Sequence, residues 1–196
     1  MGEPREASAA REPLAARAAL DRFAAQGDGV RAAALEPRSI ASIAFGPDAA
    51  GAREAVERGL GMALPAIGES ASAPFAGGST VLGLQRDQWF VLTPAADAPV
   101  EAVREAVGER PAVTDQSDAW VALVMEGPRA TLALERTCRL DLHAEAFGVG
   151  RVARTAMEHV AVIVVRETLE RFVLLSPRSS ADSFAHAMAT SVHNVS

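Results

Sequence analysis

Six consecutive apolar residues, Trp120-Val121-Ala122-Leu123-Val124-Met125, are closed one residue later by Gly127-Pro128. A run this short, rich in valine and leucine, does not make a helix and predicts a buried strand. Gly127-Pro128 breaks the strand. Pro128 then suits the first turn of a helix, where its missing N–H is not needed. Ala130, Leu132, Ala133 and Leu134 give that helix a small apolar face. A short extended segment follows, carrying Cys138, Leu140, Asp141, Leu142, His143 and Phe147. The rest of the chain is read around this strand, turn, helix and extended segment.

With 196 residues the chain is one large domain or two small intimate ones, and 49% hydrophobic content is enough for a core. The formal net charge of −6 excludes nucleic acid as an expected partner. All 19 basic residues are arginine and tyrosine is absent. Schiff-base and P-loop lysine chemistry are therefore excluded. A single cysteine excludes an intramolecular disulfide and a thiolate metal cluster, and it suits a reducing compartment. Glu3, Glu6 and Glu12 lie among the first arginines without an apolar h-region, which argues against a secretory signal or a transit peptide. The longest strongly apolar run, Val160 to Val165, is far too short to span a bilayer. The expectation is a cytoplasmic protein that acts on neither membrane nor nucleic acid.

In chain order, residues 1–30 are rich in alanine and arginine. Leu14, Ala18 and Phe23 can share one side of a short helix, or the segment is an arm that orders only on a partner; both readings stay open. Arg38 to Phe45 predicts a strand. Asp48 is the expected N-cap of a helix from Ala49 to Gly59. Gly61 to Pro65 is short and extended, and 66–78 reads as a loop. Thr80 to Leu84 and Trp89 to Thr93 form a hairpin. Pro99 opens a helix through Val107 with a Val100, Val103, Val107 stripe. Arg151 to Met157, Val160 to Val165 and Arg171 to Leu175 are three further strands. Ser179 or Ser180 caps a last helix through Ser191, with Phe184, Ala187, Met188 and Val192 on one side. Helices mixed with short, mostly antiparallel strands give an α+β fold built as two small halves, each like a split βαβ unit. The expected organisation is an arm over 1–30 and one domain over 31–196, its halves falling at about 31–112 and 113–196.

Cys138, Asp141 and His143 are the first candidates for chemistry. A nucleophilic thiol needs a base beside it and an electropositive, partly exposed setting. Nothing in this spacing fixes such a dyad, and a lone cysteine is usually a small core residue. The same three residues lack a fourth metal ligand, and C-x4-H is not a finger spacing. His186 and His193, seven apart on the last helix, read as solvated. Asp115, Ser117 and Asp118 read as turn and cap chemistry. Gly77-Gly78 and Gly148-x-Gly150 are fragments of a phosphate loop without its context. No catalytic, cofactor-binding or metal-binding residue is therefore assigned. Trp89 and Trp120 are core residues or anchors for a protein partner. Arg136 and Arg139, on either side of Cys138, are candidates to meet a partner's carboxylates.

The stretch Cys138-Arg139-Leu140-Asp141-Leu142-His143 with Phe147 resembles the C-x-L-D-L-H…F signature of the sarcosine oxidase gamma-subunit family. Arg11-Glu12-Pro13-Leu14-Ala15 is similar to its opening, and Gly61 to Pro65 to its G-x-x-L-P. Asp87-Gln88-Trp89-Phe90 resembles its acidic-tryptophan strand start, and Val113 to Ser117 with Gly127 to Ala130 its V-x-D-x-S…G-x-x-A pattern. The likeness runs over nearly the whole chain in the family's order. Arg178-Ser179-Ser180-Ala181 departs from it, with a serine where the family has an aromatic residue.

The resemblance implies a small, non-catalytic subunit of a four-part enzyme. It implies that alpha, beta and delta partners carry FAD, FMN, NAD, zinc and tetrahydrofolate, and that this chain carries no cofactor. The implied assembly oxidatively demethylates sarcosine to glycine with oxygen, releasing hydrogen peroxide and passing the one-carbon unit to tetrahydrofolate as 5,10-methylenetetrahydrofolate. The chain would then fold over the folate-binding part of the large subunit, with Trp89, Trp120, Arg136 and Arg139 as anchors and the N-terminal arm wrapped on the partner. A folate-dependent aminomethyltransferase is the rival, with a related fold. In that family a late strand carries an acidic pair, whereas Val160 to Val165 here has no carboxylate to act on the folate amine. A third reading, a stand-alone folate-binding protein, lacks its K-G-C-Y-x-G-Q-E stretch, since the chain has no lysine or tyrosine.

Overall fold

The computed structural model describes residues 20, 23–35, 38–46, 50–94 and 99–196. The arm expected over 1–30 lies mostly outside them. Its last part is strand β1 (Ala24–Gly27), which turns at Asp28-Gly29 into β2 (Val30–Ala34). The chain continues through β3 (Arg38–Ala44), helix α1 (Ala52–Leu60), β4 (Ser70–Ala73), β5 (Ser79–Gln85), β6 (Gln88–Pro94) and α2 (Pro99–Val107). The second part holds β7 (Ala112–Asp115), β8 (Trp120–Glu126), α3 (Ala130–Glu135), β9 (Val152–Met157), β10 (Val160–Thr168), β11 (Arg171–Pro177) and α4 (Ala181–His193).

These strands make two sheets, one ordered β1-β2-β8-β11-β10-β9 and the other β4-β5-β6-β3-β7, with every pairing antiparallel. The two sheets exchange strands, since β2 pairs with β8 and β7 with β3. The period of two along a strand sorts the side chains into layers. Phe172 and Leu174 of β11 join α3 and α4 residues such as Leu134, Phe184 and Met188. Val173 and Leu175, one residue out of phase, meet Ile40, Leu82, Phe90 and Leu92 of the other sheet. On that second sheet Val81, Trp89 and Val91 pack under α1 and α2, beside Val56, Leu60 and Val103. The molecule is therefore a four-layer stack of helices, sheet, sheet and helices. A strand in either inner layer is buried on both faces, which is why Trp120 to Met125 and Val160 to Val165 read as unbroken apolar runs.

Several expectations need correction. The α1 helix starts at Ala52 rather than Ala49, and the expected cap, Asp48, lies outside the described residues. Gly51 occupies the N-cap position with φ 76° and no side-chain cap. The stretch 66–78 is not simply a loop, because Ser70–Ala73 is an edge strand paired with β5. Its alternating serines and alanines carry too little apolar weight to announce a strand. The short strand β7 went unread for a similar reason: three of its four residues are exposed. Pro128 precedes α3 by two residues, and Leu132 is 47% exposed rather than part of its apolar face. Ser180 stands at the N-cap of α4 but makes no side-chain cap bond. The hairpins, α2 and the Phe184, Met188, Val192 face of α4 stand as expected.

Candidate functional site

The segment 138–147 leaves the end of α3 and runs over the edge of the first sheet. The Cys138 N–H donates to the Leu134 carbonyl at 2.8 Å, and Cys138 bridges to Met157 at the end of β9. Its thiol is buried, and that burial pushes its pKa up, against weaker opposing bonds from the Leu140 backbone and the Thr155 hydroxyl. A raised thiol pKa is the opposite of what a nucleophile needs. The Asp141 carboxylate accepts the His143 N–H at 2.9 Å, an Asx turn. Asp141 and His143 are exposed, whereas Leu142 and Phe147 are buried in the same cluster as Cys138. The three candidates are thus divided between core, turn and surface. Among the described residues no group of three His, Cys, Asp or Glu side chains is placed to hold a metal ion.

A residue that sequence reasoning missed holds this segment in place. Arg166 of β10 is 3% exposed, its guanidinium lying 4.9 Å from the Phe172 ring centroid. Its Nη1 donates to the carbonyls of Leu142 at 2.9 Å and Phe147 at 2.8 Å. Its Nη2 donates to Leu169 at 2.6 Å and its Nε to Thr168 at 3.3 Å. No carboxylate pairs with Arg166 among the described residues. Burial pulls its pKa down, but arginine starts so high that it stays a cation. A buried cation is tolerated only when its donors are met, and here four backbone carbonyls meet them. The signal was present in the sequence. The alternation that sends Val162 and Val164 into the helix-side core carries on to Arg166.

The anchor candidates fare differently from one another. Trp89 is 3% exposed, donates its indole N–H to the Pro65 carbonyl at 2.9 Å and stacks obliquely on Phe45 at 4.9 Å. It is a core residue and not an exposed anchor, because β6 is sandwiched between α1–α2 and the other sheet. Trp120 is half-buried between the sheets, edge-on to Phe90 at 6.0 Å, and its buried indole N–H has no partner among the described residues. Arg136 and Arg139 are exposed. His186 and His193 are exposed on α4, as expected of solvated residues.

Asp115 does the turn chemistry expected of it. Its carboxylate accepts from the Ser117 hydroxyl at 2.6 Å and the Ser117 N–H at 2.8 Å, and Ser117 Oγ accepts the Ile40 N–H at 3.1 Å. The Ser117 hydroxyl, then its N–H, hold the Asp115 carboxyl below the usual range. Gly150 stitches the two sheets, its carbonyl accepting the Ser70 N–H at 2.7 Å. It is not a phosphate cradle. On β10, Ile163 and Val165 face the other sheet while Val162 and Val164 face the helices, and the strand's carboxylate, Glu167 near its end, is engaged by Arg171 at 2.8 Å, so the stretch Val160 to Val165 offers no carboxylate to a folate amine. Among the described residues no helix is long and apolar enough to cross a membrane.

No family model matches the chain. It is 34% identical over 149 residues to the sarcosine oxidase subunit gamma of Arthrobacter sp., covering 72% of each. It is 34% identical over 128 residues to the subunit of the same name from Corynebacterium sp. (strain U-96), covering 64% of this chain and 61% of that one. The chain thus spans about three-fifths of the U-96 relative's length. Among solved structures it superposes on a chain of the heterotetrameric sarcosine oxidase from Corynebacterium sp. U-96 in complex with pyrrole 2-carboxylate. The TM-score is 0.77 at 26% identity, over 90% of this chain and 91% of that one. The aminomethyltransferase T of the glycine cleavage system from Bartonella henselae shares the fold, at TM-score 0.61 and 16% identity over 79% of this chain and 44% of that one.

Proposed function

The chain belongs to the sarcosine oxidase gamma-subunit family, and from that premise we propose that it is a non-catalytic subunit of a heterotetrameric sarcosine oxidase. Its partners are the alpha, beta and delta subunits, which hold FAD, FMN, NAD, zinc and tetrahydrofolate. The assembly acts in the cytoplasm and converts sarcosine and oxygen to glycine and hydrogen peroxide, with the methyl carbon leaving as 5,10-methylenetetrahydrofolate. This chain packs against the folate-binding part of the large subunit. The observation that carries the reading is the use to which the family signature is put. Cys138 and Phe147 fill core, Asp141 closes a turn, and Arg166 binds the segment from beneath. The signature residues preserve a shape, as expected of a part that is recognised rather than one that reacts. Against aminomethyltransferase chemistry stands the stretch Val160 to Val165, which brings no acid to a folate.

The isolated chain tests this. It is expected to show no sarcosine-dependent peroxide release and no retained folate, with activity appearing only when the other subunits are added. A lone chain that demethylates sarcosine, or that keeps folate through gel filtration, would contradict the proposal.

A further inference from the structure

Ile67, Val149 and Leu169 are three of the four large apolar side chains that stand exposed among the described residues, at 60%, 55% and 61%. They gather along one seam. Arg166 joins the Phe147 and Leu169 carbonyls on a single guanidinium, and its own carbonyl accepts the Gly150 N–H at 2.9 Å, next to Val149. The Val152 N–H donates to the Gly68 carbonyl at 3.0 Å, which brings the Ile67 loop to the same edge. Scattered surface hydrophobics need no explanation, but Val149 and Leu169 sit on loops fixed from below by a buried cation, and the Ile67 loop is pinned by the backbone bonds of Gly68. The unpaired charges around them are mainly acidic. Asp141, Glu145 and Glu170 are exposed and enter no ion pair among the described residues. Of the neighbouring cations, Arg151 is engaged with Glu69 at 3.7 Å and Arg171 with Glu167 at 2.8 Å, which leaves Arg139 as the exposed cation of the segment without an ion pair among the described residues.

We infer that this seam is the docking face for a larger subunit of the oxidase, one presenting an apolar centre rimmed by arginine or lysine. The inference rests on the subunit reading above and names the surface through which it operates. An apolar centre with a polar rim is the ordinary anatomy of an interface. The unpaired acids select a basic partner, because complementary rims steer encounter and like charges across a contact are costly. The same acids argue against a second copy of this chain. A twofold contact would bring two copies of the same acid-rimmed patch together. The fixed backbone lowers the ordering cost of association.

The test is co-expression of the full, tagged chain with the other oxidase subunits of its own organism, and quantification of the partner recovered. Leu169→Arg and Val149→Arg are each expected to reduce recovery at least about tenfold, as for a central interface residue. Paired Glu145→Arg and Glu170→Arg should reduce it as well, and recovery of the wild type should fall as salt rises. Arg86→Glu, in the β5–β6 turn of the other sheet, is expected to change nothing. If an arginine variant fails to fold, Leu169→Gln removes the apolar contact without a charge and should lower recovery in the same direction. Full recovery of partner by the Leu169 and Val149 variants would overturn this docking face and leave the subunit reading intact. A wild-type chain that recovers no oxidase subunit would overturn both. A concentration-dependent dimer of the lone chain that Leu169→Arg makes monomeric would assign the face to a second copy and overturn the inference.

Discussion

Arg166 concentrates more of this structure than any other side chain. Four carbonyls are held by one guanidinium, those of Leu142 and Phe147 in the 138–147 segment and those of Thr168 and Leu169 at the β10–β11 turn. Arg166→Met keeps much of the volume and is expected to lower the stability of the chain by about 2–4 kcal/mol, because it orphans buried acceptors. Arg166→Lys should recover only part of this, since an ammonium cannot reproduce the planar fork. Denaturant midpoints at constant slope would measure both. Two carboxyls set the acid side of stability. Glu126 accepts from Arg31 and Arg171, and the Arg31 bond does most to hold its carboxyl below the usual range, with burial opposing. Asp115 is held low by Ser117. A carboxyl depressed in the folded state stabilises above its unfolded pKa and ceases to do so as pH falls through the folded one. Stability should therefore hold from neutrality to about pH 5 and decline below about pH 4. In urea titrations across that range, Glu126→Gln should be less stable than the wild type at pH 7, with the gap closing as pH falls. A gap that widens toward low pH would contradict this.

At the scale of elements, two places depend on backbone geometry that the residue types do not favour equally. Gly59 of α1 lies against the Ala106 carbonyl of α2, leaving no room for a Cβ. Gly59→Ala would improve helix propensity in an isolated helix, yet here it must push two helices apart. A loss of about 1–3 kcal/mol is expected from overpacking, read as a lowered melting temperature. The β9–β10 hairpin turns through Glu158 and His159, both at positive φ, 46° and 70°. Such a two-residue turn suits Asn-Gly far better. The double change Glu158→Asn and His159→Gly is expected to raise stability by about 1 kcal/mol by relieving the left-handed strain. The elements themselves were largely legible. Valine- and leucine-rich runs announced the inner strands, and the Val100, Val103, Val107 stripe announced α2. What stayed hidden was local and weakly apolar. Ser70–Ala73 is a polar edge strand held by pairing to the next strand, β5, and Ala112–Asp115 is held by pairing to β3, far away in the chain, which no window of sequence contains. The start of α1 was misplaced because proline and aspartate signal a cap, whereas a left-handed Gly51 precedes the helix.

For the whole molecule, the sequence announced the α+β class and the family, and the structure shows how they relate. Two antiparallel sheets back to back, each covered by two helices, account for the mixture of short strands and helices. The exchange of strands between sheets could not be read, because it depends on which distant edges meet. The same holds for Trp89. A tryptophan beside an acidic turn looks like a surface anchor until the second sheet and α1 close over it. Arg166 escaped notice because a charged residue at a strand's end is ordinarily solvent-facing, and only the loop it binds makes it internal. The central claim is that this chain acts as a shaped part of a larger oxidase and contributes no reacting group. The most direct measurement is to purify the tagged chain from its own cells and record the absorption spectrum of what comes with it, followed by peroxide release on adding sarcosine. A yellow complex with three partner polypeptides and sarcosine-dependent peroxide is the predicted result. A colourless chain recovered alone would contradict the account.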